Sequence, residues 1–228
     1  MTIYIGKNNL CNLEAYISNS SINTLYIITD QIVNELYMGY LKSSIGDFKT
    51  YVYILPPGEE NKTVYNVLSI YDDLIEKDID RKTLILSFGG GIVGDMTGFV
   101  ASTYKRGLRY LQIPTTLLAQ VDSSIGGKTG FDYKGIKNII GSFYFPEAIF
   151  TDVTFLKSLP KREITCGLGE VFKYGLIDDY NLFQFAKDNL DYIYNKDIDA
   201  LMSIVDRSVA IKKNIVSKDR YDVGLRNI

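Results

Sequence analysis

The sequence predicts an α/β protein, with a Rossmann-like, mostly parallel sheet domain first and the beginning of an all-helical domain after it. Three observations carry this. Short apolar, β-rich runs alternate with helical periodicities through the first half. One of those runs leads straight into three glycines that open a helix. Beyond about Thr151 the strand signals stop and only helical periodicity continues.

The first strong strand is Thr24 to Thr29, ending at Asp30, with a helical stretch behind it to about Lys42. Thr50 to Leu55 is the second, stopped by Pro56-Pro57-Gly58. From Lys62 to Lys77, Val64, Val67, Leu68, Tyr71, Leu74 and Ile75 recur at helical spacing. Thr83 to Phe88, apolar at Leu84, Ile85, Leu86 and Phe88, reads as a strand buried on both faces. A helix is expected from Gly94 to Tyr104 and a strand from Arg109 to Ile113. Pro114 to Val121 reads as helical after the proline, and the glycine-rich stretches around Lys128 and Lys137 read as loops. Helices are expected over residues 162–176, 181–190 and 198–215. This divides the chain into an α/β domain, 1–155, and the start of a helical domain, 156–228, with Pro160 near the boundary.

Composition excludes several classes. Hydrophobic residues at 46% and charged residues at 23% suit a globular protein that buries a core. A net charge of −2 gives no electrostatic footprint for nucleic acid, and no apolar run approaches membrane-spanning length. Cys11 and Cys166 belong to no Cys-x-x-Cys pair, so they read as free thiols of a cytoplasmic protein. There is no histidine, the usual general base and the commonest metal ligand.

Phe88-Gly-Gly-Gly-Ile-Val-Gly-Asp95 fits a pyrophosphate-binding turn, whose glycines let backbone amides approach the anion at a helix N-terminus. On spacing alone it equally fits a tight strand-to-helix turn. Asp122-Ser-Ser-Ile-Gly-Gly-Lys-Thr129 invites a P-loop reading, which fails because Asp122 stands where glycine is needed and no strand precedes it. Arg106, Lys128, Lys134, Lys137, Lys173 and Lys212 are candidates to hold an anion, each with the alternative of a solvated surface cation. Glu170 and Lys173 are three apart on one helix face, which suits a surface ion pair as well as a site.

Together these segments resemble the 3-dehydroquinate synthase family. The resemblance rests on Gly58-Glu-Glu-Asn-Lys62, Gly89 to Asp95, Pro114-Thr-Thr116, Asp122 to Thr129, Lys137-Asn138, Phe155 to Pro160 and Gly169-Glu-Val-Phe-Lys-Tyr-Gly175, in order and spacing. It implies that Pro57, Gly58, Glu59, Glu60, Asn61, Lys62, the Gly91-Ile92-Val93-Gly94-Asp95 turn, Thr115, Thr116 and Phe155-Leu156-Lys157-Ser158 contact NAD, with Lys128 and Lys137 beside it. Asp122, Lys128, Asn138, Lys173, Lys212 and Arg226 match substrate-holding positions, and Arg106 matches one that reaches over from a neighbouring subunit of a homodimer. Glu170 matches the carboxylate ligand of a catalytic zinc, or cobalt. The implied reaction turns the sugar phosphate 3-deoxy-D-arabino-heptulosonate 7-phosphate into 3-dehydroquinate and phosphate, within the shikimate pathway to chorismate and aromatic amino acids. It proceeds by transient NAD-dependent oxidation of a metal-polarised hydroxyl, phosphate elimination, reduction and intramolecular aldol closure.

The family's pattern continues past the equivalent of Gly224-Leu-Arg226 into a histidine-bearing segment, so the ending Arg226-Asn227-Ile228 reads as a cut and the chain alone as inactive. The alternatives are another sugar-phosphate cyclase such as a 2-deoxy-scyllo-inosose synthase, an NAD- and metal-dependent polyol or glycerol dehydrogenase, and a non-catalytic truncated paralogue. Net NADH production separates the dehydrogenase, because a synthase returns its hydride.

Overall fold

The fold is that of a computed structural model describing residues 1–19 and 21–226; Asn227 and Ile228, at the end read as a cut, lie outside them. A six-stranded sheet of β1 (Thr2–Gly6), β2 (Thr24–Asp30), β3 (Lys49–Leu55), β4 (Thr83–Gly89), β5 (Tyr110–Pro114) and β8 (Ala148–Asp152) runs in the order β1-β8-β5-β4-β2-β3. Every neighbouring pair in it is parallel. The helices packed on it are α1 (Leu13–Ser18), α2 (Gln31–Ile45), α3 (Val64–Glu76) and α4 (Gly91–Thr103).

The apolar strands are explained by cover on both faces. Leu25, Ile27, Leu84, Leu86 and Phe88 pack with Leu13, Val33 and Leu41, the last two from α2. Their chain neighbours Tyr26, Ile28 and Ile85 point the other way, against Val67 and Leu74 of α3 and Met96 and Val100 of α4. Successive strand residues therefore serve two cores, and no polar alternation is possible. Local chemistry sets the helix starts: Asp30 caps α2 by accepting from the Val33 amide at 2.9 Å, and Asp197 caps the last helix by accepting from Ala200 at 2.9 Å.

From β2 the chain steps outward to β3, then returns across β2 to build β4, β5 and β8 on the other side. The order reverses between β2 and β4, and the crevice beyond the carboxyl ends of such strands is where open α/β sheets bind ligands. The carboxyl end of β4 is Gly89, followed directly by Gly90 and α4.

Two readings need correction. Lys128 and Lys137 do not lie in loops: they belong to an antiparallel hairpin, β6 (Lys128–Tyr133) and β7 (Ile136–Phe143). Gly130, and Gly141 opposite it, are there because the two backbones touch, while Gly127 and Gly135 hold positive φ at the ends of β6. A Cβ on Gly130 would stand 2.4 Å from the Ile140 carbonyl oxygen, and one on Gly141 2.2 Å from that of Thr129. The segment after Pro114 is helical only from Leu117 and winds into a π-turn at Ala119–Ser123.

After β8, a 3-10 segment (Val153–Ser158) leads to α5 (Lys161–Ile177), α6 (Tyr180–Asp188), α7 (Leu190–Tyr194) and α8 (Ile198–Lys218). Their shared core includes Ile149 of β8 together with Val153, Leu156, Ile164, Val171, Leu201 and Val205. Among the described residues no helix is long and apolar enough to cross a membrane.

Candidate active site

Three elements converge beyond the switch point of the sheet: α4 through Asp95, the π-turn, and the β6–β7 hairpin. Together with α8 and the segment behind it they enclose a cavity of about 570 Å³, within the range of small-molecule sites. Asp95, Asp122, Lys128, Asn138, Lys212 and Arg226 all line it. These residues span 132 positions of sequence, from 95 to 226; the fold collects them.

Asp122 is held by two donors. Lys212 meets its Oδ1 at 2.6 Å, and the hydroxyl of the buried Tyr174 donates to that same oxygen. Burial disfavours the charged form, but Lys212 and then Tyr174 outweigh it and hold the carboxyl below its ordinary value. Burial and the adjacent Asp122 charge push the Tyr174 hydroxyl up, so it stays a donor. Asp122 is thus an ionised acceptor whose Oδ2 is the freer oxygen.

Lys128 pairs with Asp222, and Arg226 donates to the Gly126 carbonyl at 3.1 Å. Three cations (Lys128, Lys212, Arg226) face three acids (Asp95, Asp122, Asp222) around the lining. An anion entering there competes with Asp222 for Lys128. Asp222 is the group that sequence reading passed over, along with Tyr174, Ser123 and Phe143; the acid pair Asp219/Asp222 close before Arg226 is the one signal that could have flagged it.

Asp219 holds this segment in place. Its carboxylate accepts from the amides of Val223 at 2.9 Å, Gly224 at 3.0 Å and Arg226 at 3.0 Å. Those amides, Val223 foremost, keep the carboxyl below its ordinary 3.8. A depressed carboxylate contributes stability above its unfolded pKa and loses it as pH falls through the folded one. In an acid titration the amide-proton shifts of Val223, Gly224 and Arg226 should therefore move together with a midpoint below 3.8; a midpoint above that value would refute the anchoring.

Asp95, the fifth residue of α4, lines both the large cavity and a smaller hollow under Gly89, Gly90, Gly91 and Gly94. Burial pushes its carboxyl up to about 6, against the opposing pull of Lys62. Thr115 donates its amide to the Gly89 carbonyl at 3.0 Å, and Thr116 packs on Gly90. Glu59, Glu60 and Asn61 form a 3-10 turn behind Pro57 and Gly58, and Asn61 donates to the Pro57 carbonyl at 2.7 Å. Lys137 reaches Glu59 at 3.2 Å.

Other expected residues stand apart from this cluster. Val93, Phe155 and Leu156 spend their side chains in the core, which leaves their backbone for any ligand. Ser158 bonds to the Tyr37 hydroxyl at 2.6 Å, and the Lys157 carbonyl accepts from Lys196 at 2.8 Å. Ile92 packs at the edge of the core shared with α3. Arg106, exposed with a φ of 64°, is outside the cavity lining of its own chain. Glu170 and Lys173 lie on α5 as an ion pair of 3.2 Å, also outside the lining.

The residues fit the two implied cofactors unequally. At Gly94 an added Cβ would keep 3.5 Å from its nearest protein neighbour, so internal packing does not demand glycine there. An approaching pyrophosphate does. For a metal, no group of three or more His, Cys, Asp or Glu side chains assembles among the described residues. Glu170 alone does not make a zinc centre.

Family models for the N-terminal part of 3-dehydroquinate synthase match residues 52–166, and for its C-terminal part residues 167–228. The chain belongs to the 3-dehydroquinate synthase family. It is 47% identical over 227 residues to the 3-dehydroquinate synthase of Dictyoglomus thermophilum, covering 99% of this chain and 62% of the relative. With that of Clostridium tetani it shares 44% over 208 residues, 91% of this chain and 56% of the relative. The chain thus spans somewhat over half the length of these curated relatives.

Among solved structures, the 2-epi-5-epi-valiolone synthase of Streptomyces hygroscopicus with NAD+ and Zn2+ bound superposes with a TM-score of 0.89 at 25% identity, over 98% of this chain and 63% of that one. A 2-deoxy-scyllo-inosose synthase complexed with carbaglucose-6-phosphate, NAD+ and Co2+ gives 0.86 at 28%, over 97% and 62%. The glycerol dehydrogenase of Schizosaccharomyces pombe, at 18% identity and a TM-score of 0.65 over 93% and 59%, shares the fold.

Proposed function

We propose that this chain is the nucleotide-binding and substrate-gripping part of a 3-dehydroquinate synthase, acting on 3-deoxy-D-arabino-heptulosonate 7-phosphate. The observation that carries it is the position of Asp95, which borders both the glycine turn and the charged cavity. A cofactor seated on the turn would place its reactive end beside a substrate held by Lys128, Lys212 and Arg226. Identities of 44–47% to curated synthases, against 25–28% to the other cyclases, favour this substrate over a hexose phosphate.

NAD supplies, when bound, a reversible acceptor for hydride. The chain's own residues bind and orient. Gly91 and Gly94 clear the approach of the pyrophosphate to the N-terminus of α4. Lys128, Lys212 and Arg226 take the anionic groups of the substrate, and Asp122 accepts from one of its hydroxyls. Holding one reactive polyanion in a fixed, water-poor pose is a large share of catalysis in such a reaction. Glu170 is assigned as one metal donor of a centre that the described residues do not complete. The reading includes a cytoplasmic homodimer, in which the exposed Arg106 reaches the other subunit's cavity.

Calorimetric titration of the 228-residue chain with NAD+ tests the nucleotide half directly. Binding is expected, and Gly94→Val should weaken it at least tenfold with an unchanged circular-dichroism spectrum, because its methyl groups occupy the phosphate's approach. No heat from a folded wild-type chain would refute the assignment.

A further inference from the structure

Behind the cavity wall lies a second group of polar residues, centred on Asn138. This residue lines the cavity from β7 with a left-handed backbone, φ 53°, a conformation that asparagine accepts more readily than most non-glycine residues. Its backbone amide donates to Asp132 Oδ1 at 2.7 Å. Asp132 in turn donates its own amide to the Lys62 carbonyl at 2.9 Å and forms a β-bridge with Thr63. The side chain of Lys62, only 5% exposed, then reaches forward: its ammonium meets Asp95 Oδ2 at 2.6 Å and donates to Asn138 Oδ1. Asn138 is therefore gripped at its backbone by Asp132 and at its side chain by Lys62. Neither Lys62 nor Asp132 lines the cavity.

The chemistry of that grip fixes a direction. An ammonium has three donors and no acceptor, so only the amide oxygen of Asn138 can face Lys62. The NH2 group is left as the part of the side chain open to the cavity. We infer that Lys62 and Asp132 are positioning residues that set Asn138 as a hydrogen-bond donor toward an acceptor oxygen, phosphoryl or hydroxyl, of the ligand. Asp122 is set in the opposite sense, since both of its protein donors sit on Oδ1. The cavity thus offers one oriented neutral donor and one oriented acceptor among its cations. The identity of the ligand oxygen rests on the function proposed above; the orientation of Asn138 does not. Lys62, matched by resemblance to a cofactor contact, already spends its ammonium on Asp95 and Asn138.

The test is NMR on the 228-residue chain labelled with 15N and 13C at asparagine. In the wild type the Asn138 NH2 should show two resolved protons and a heteronuclear NOE as high as the β7 backbone, with its Cγ shifted downfield by the ammonium. Lys62→Met should collapse the NOE and move Cγ upfield while the β7 backbone stays ordered. Lys62→Arg, which also can only donate, should restore both. Asp132→Ala should release the Asn138 backbone amide and mobilise the same NH2, and it decides the matter alone if Lys62→Met does not fold. An NH2 that is mobile in the wild type, that stays rigid in the folded variants, or that arginine fails to restore overturns the inference. NAD+ and inorganic phosphate are titrated into the same samples. Their failure to bind the wild type counts against the proposed function, while the orientation of Asn138 stands or falls on its own spectra.

Discussion

Gly167→Val should destabilise the chain by about 3 kcal/mol, roughly 6–12 °C in melting temperature for a protein of this size. Gly167 lies in α5 where that helix crosses the start of the π-turn segment. A Cβ there would stand 2.5 Å from Leu117 Cγ and 2.8 Å from the Leu118 backbone nitrogen. A side chain could rotate away, but a backbone nitrogen cannot, so the helix or the turn has to move. Either movement pulls Tyr174 on α5 from Asp122 on the π-turn, and leaves a partly buried carboxylate with one donor fewer. Better helix propensity returns only a few tenths of a kcal/mol. The control is two residues away: a Cβ on Gly169, in the same helix, meets nothing within 4 Å. Gly169→Ala should therefore stabilise by about 0.5–1 kcal/mol. Denaturant melts of the two variants that shift in the same direction would refute the packing argument.

That contrast also marks what sequence could and could not disclose. Gly167 and Gly169 are indistinguishable as letters in one motif; only the neighbour across the helix separates them. The middle of the sheet was legible because β2 and β4 are covered on both faces and burial leaves an apolar run, whereas β1 and β8, five residues each, were not read as strands. The β6–β7 hairpin was not, since every residue of β7 but Ser142 is exposed and its glycines answer to the facing backbone. The site divides in the same way. Lys128 and Lys212 stood out only as two of six candidate cations, and Asp122, Asn138 and Arg226 were named through family resemblance, because a single lysine carries no periodicity and their convergence is a property of the fold. Asp222 and Tyr174 were missed for a related reason: the first lies in an irregular segment, the second occupies the buried face of α5, where an aromatic residue reads as core.

The largest expected effect concerns metal and turnover. The 228-residue chain should carry no stoichiometric zinc and release no phosphate from the heptulosonate phosphate. Catalytic zinc takes three protein ligands and keeps a position open, and this chain has no histidine at all. Its acids do not substitute. Glu170 is paired with Lys173, Asp122 is held by Lys212 and Tyr174, and the two cysteines are separate exposed thiols. Carboxylates by themselves also favour harder ions than zinc. A protein that continues into the histidine-bearing segment of the family should bind zinc and turn over. In that longer protein Glu170→Ala should abolish both together, because two remaining ligands do not define a tetrahedral site. Lys173 would not compensate: its ammonium, freed from Glu170, repels the cation. Elemental analysis beside a phosphate-release assay measures the two losses on one sample. Zinc and turnover in the 228-residue chain would refute the ligand count, and a zinc-replete, active Glu170→Ala protein would remove Glu170 from the metal site.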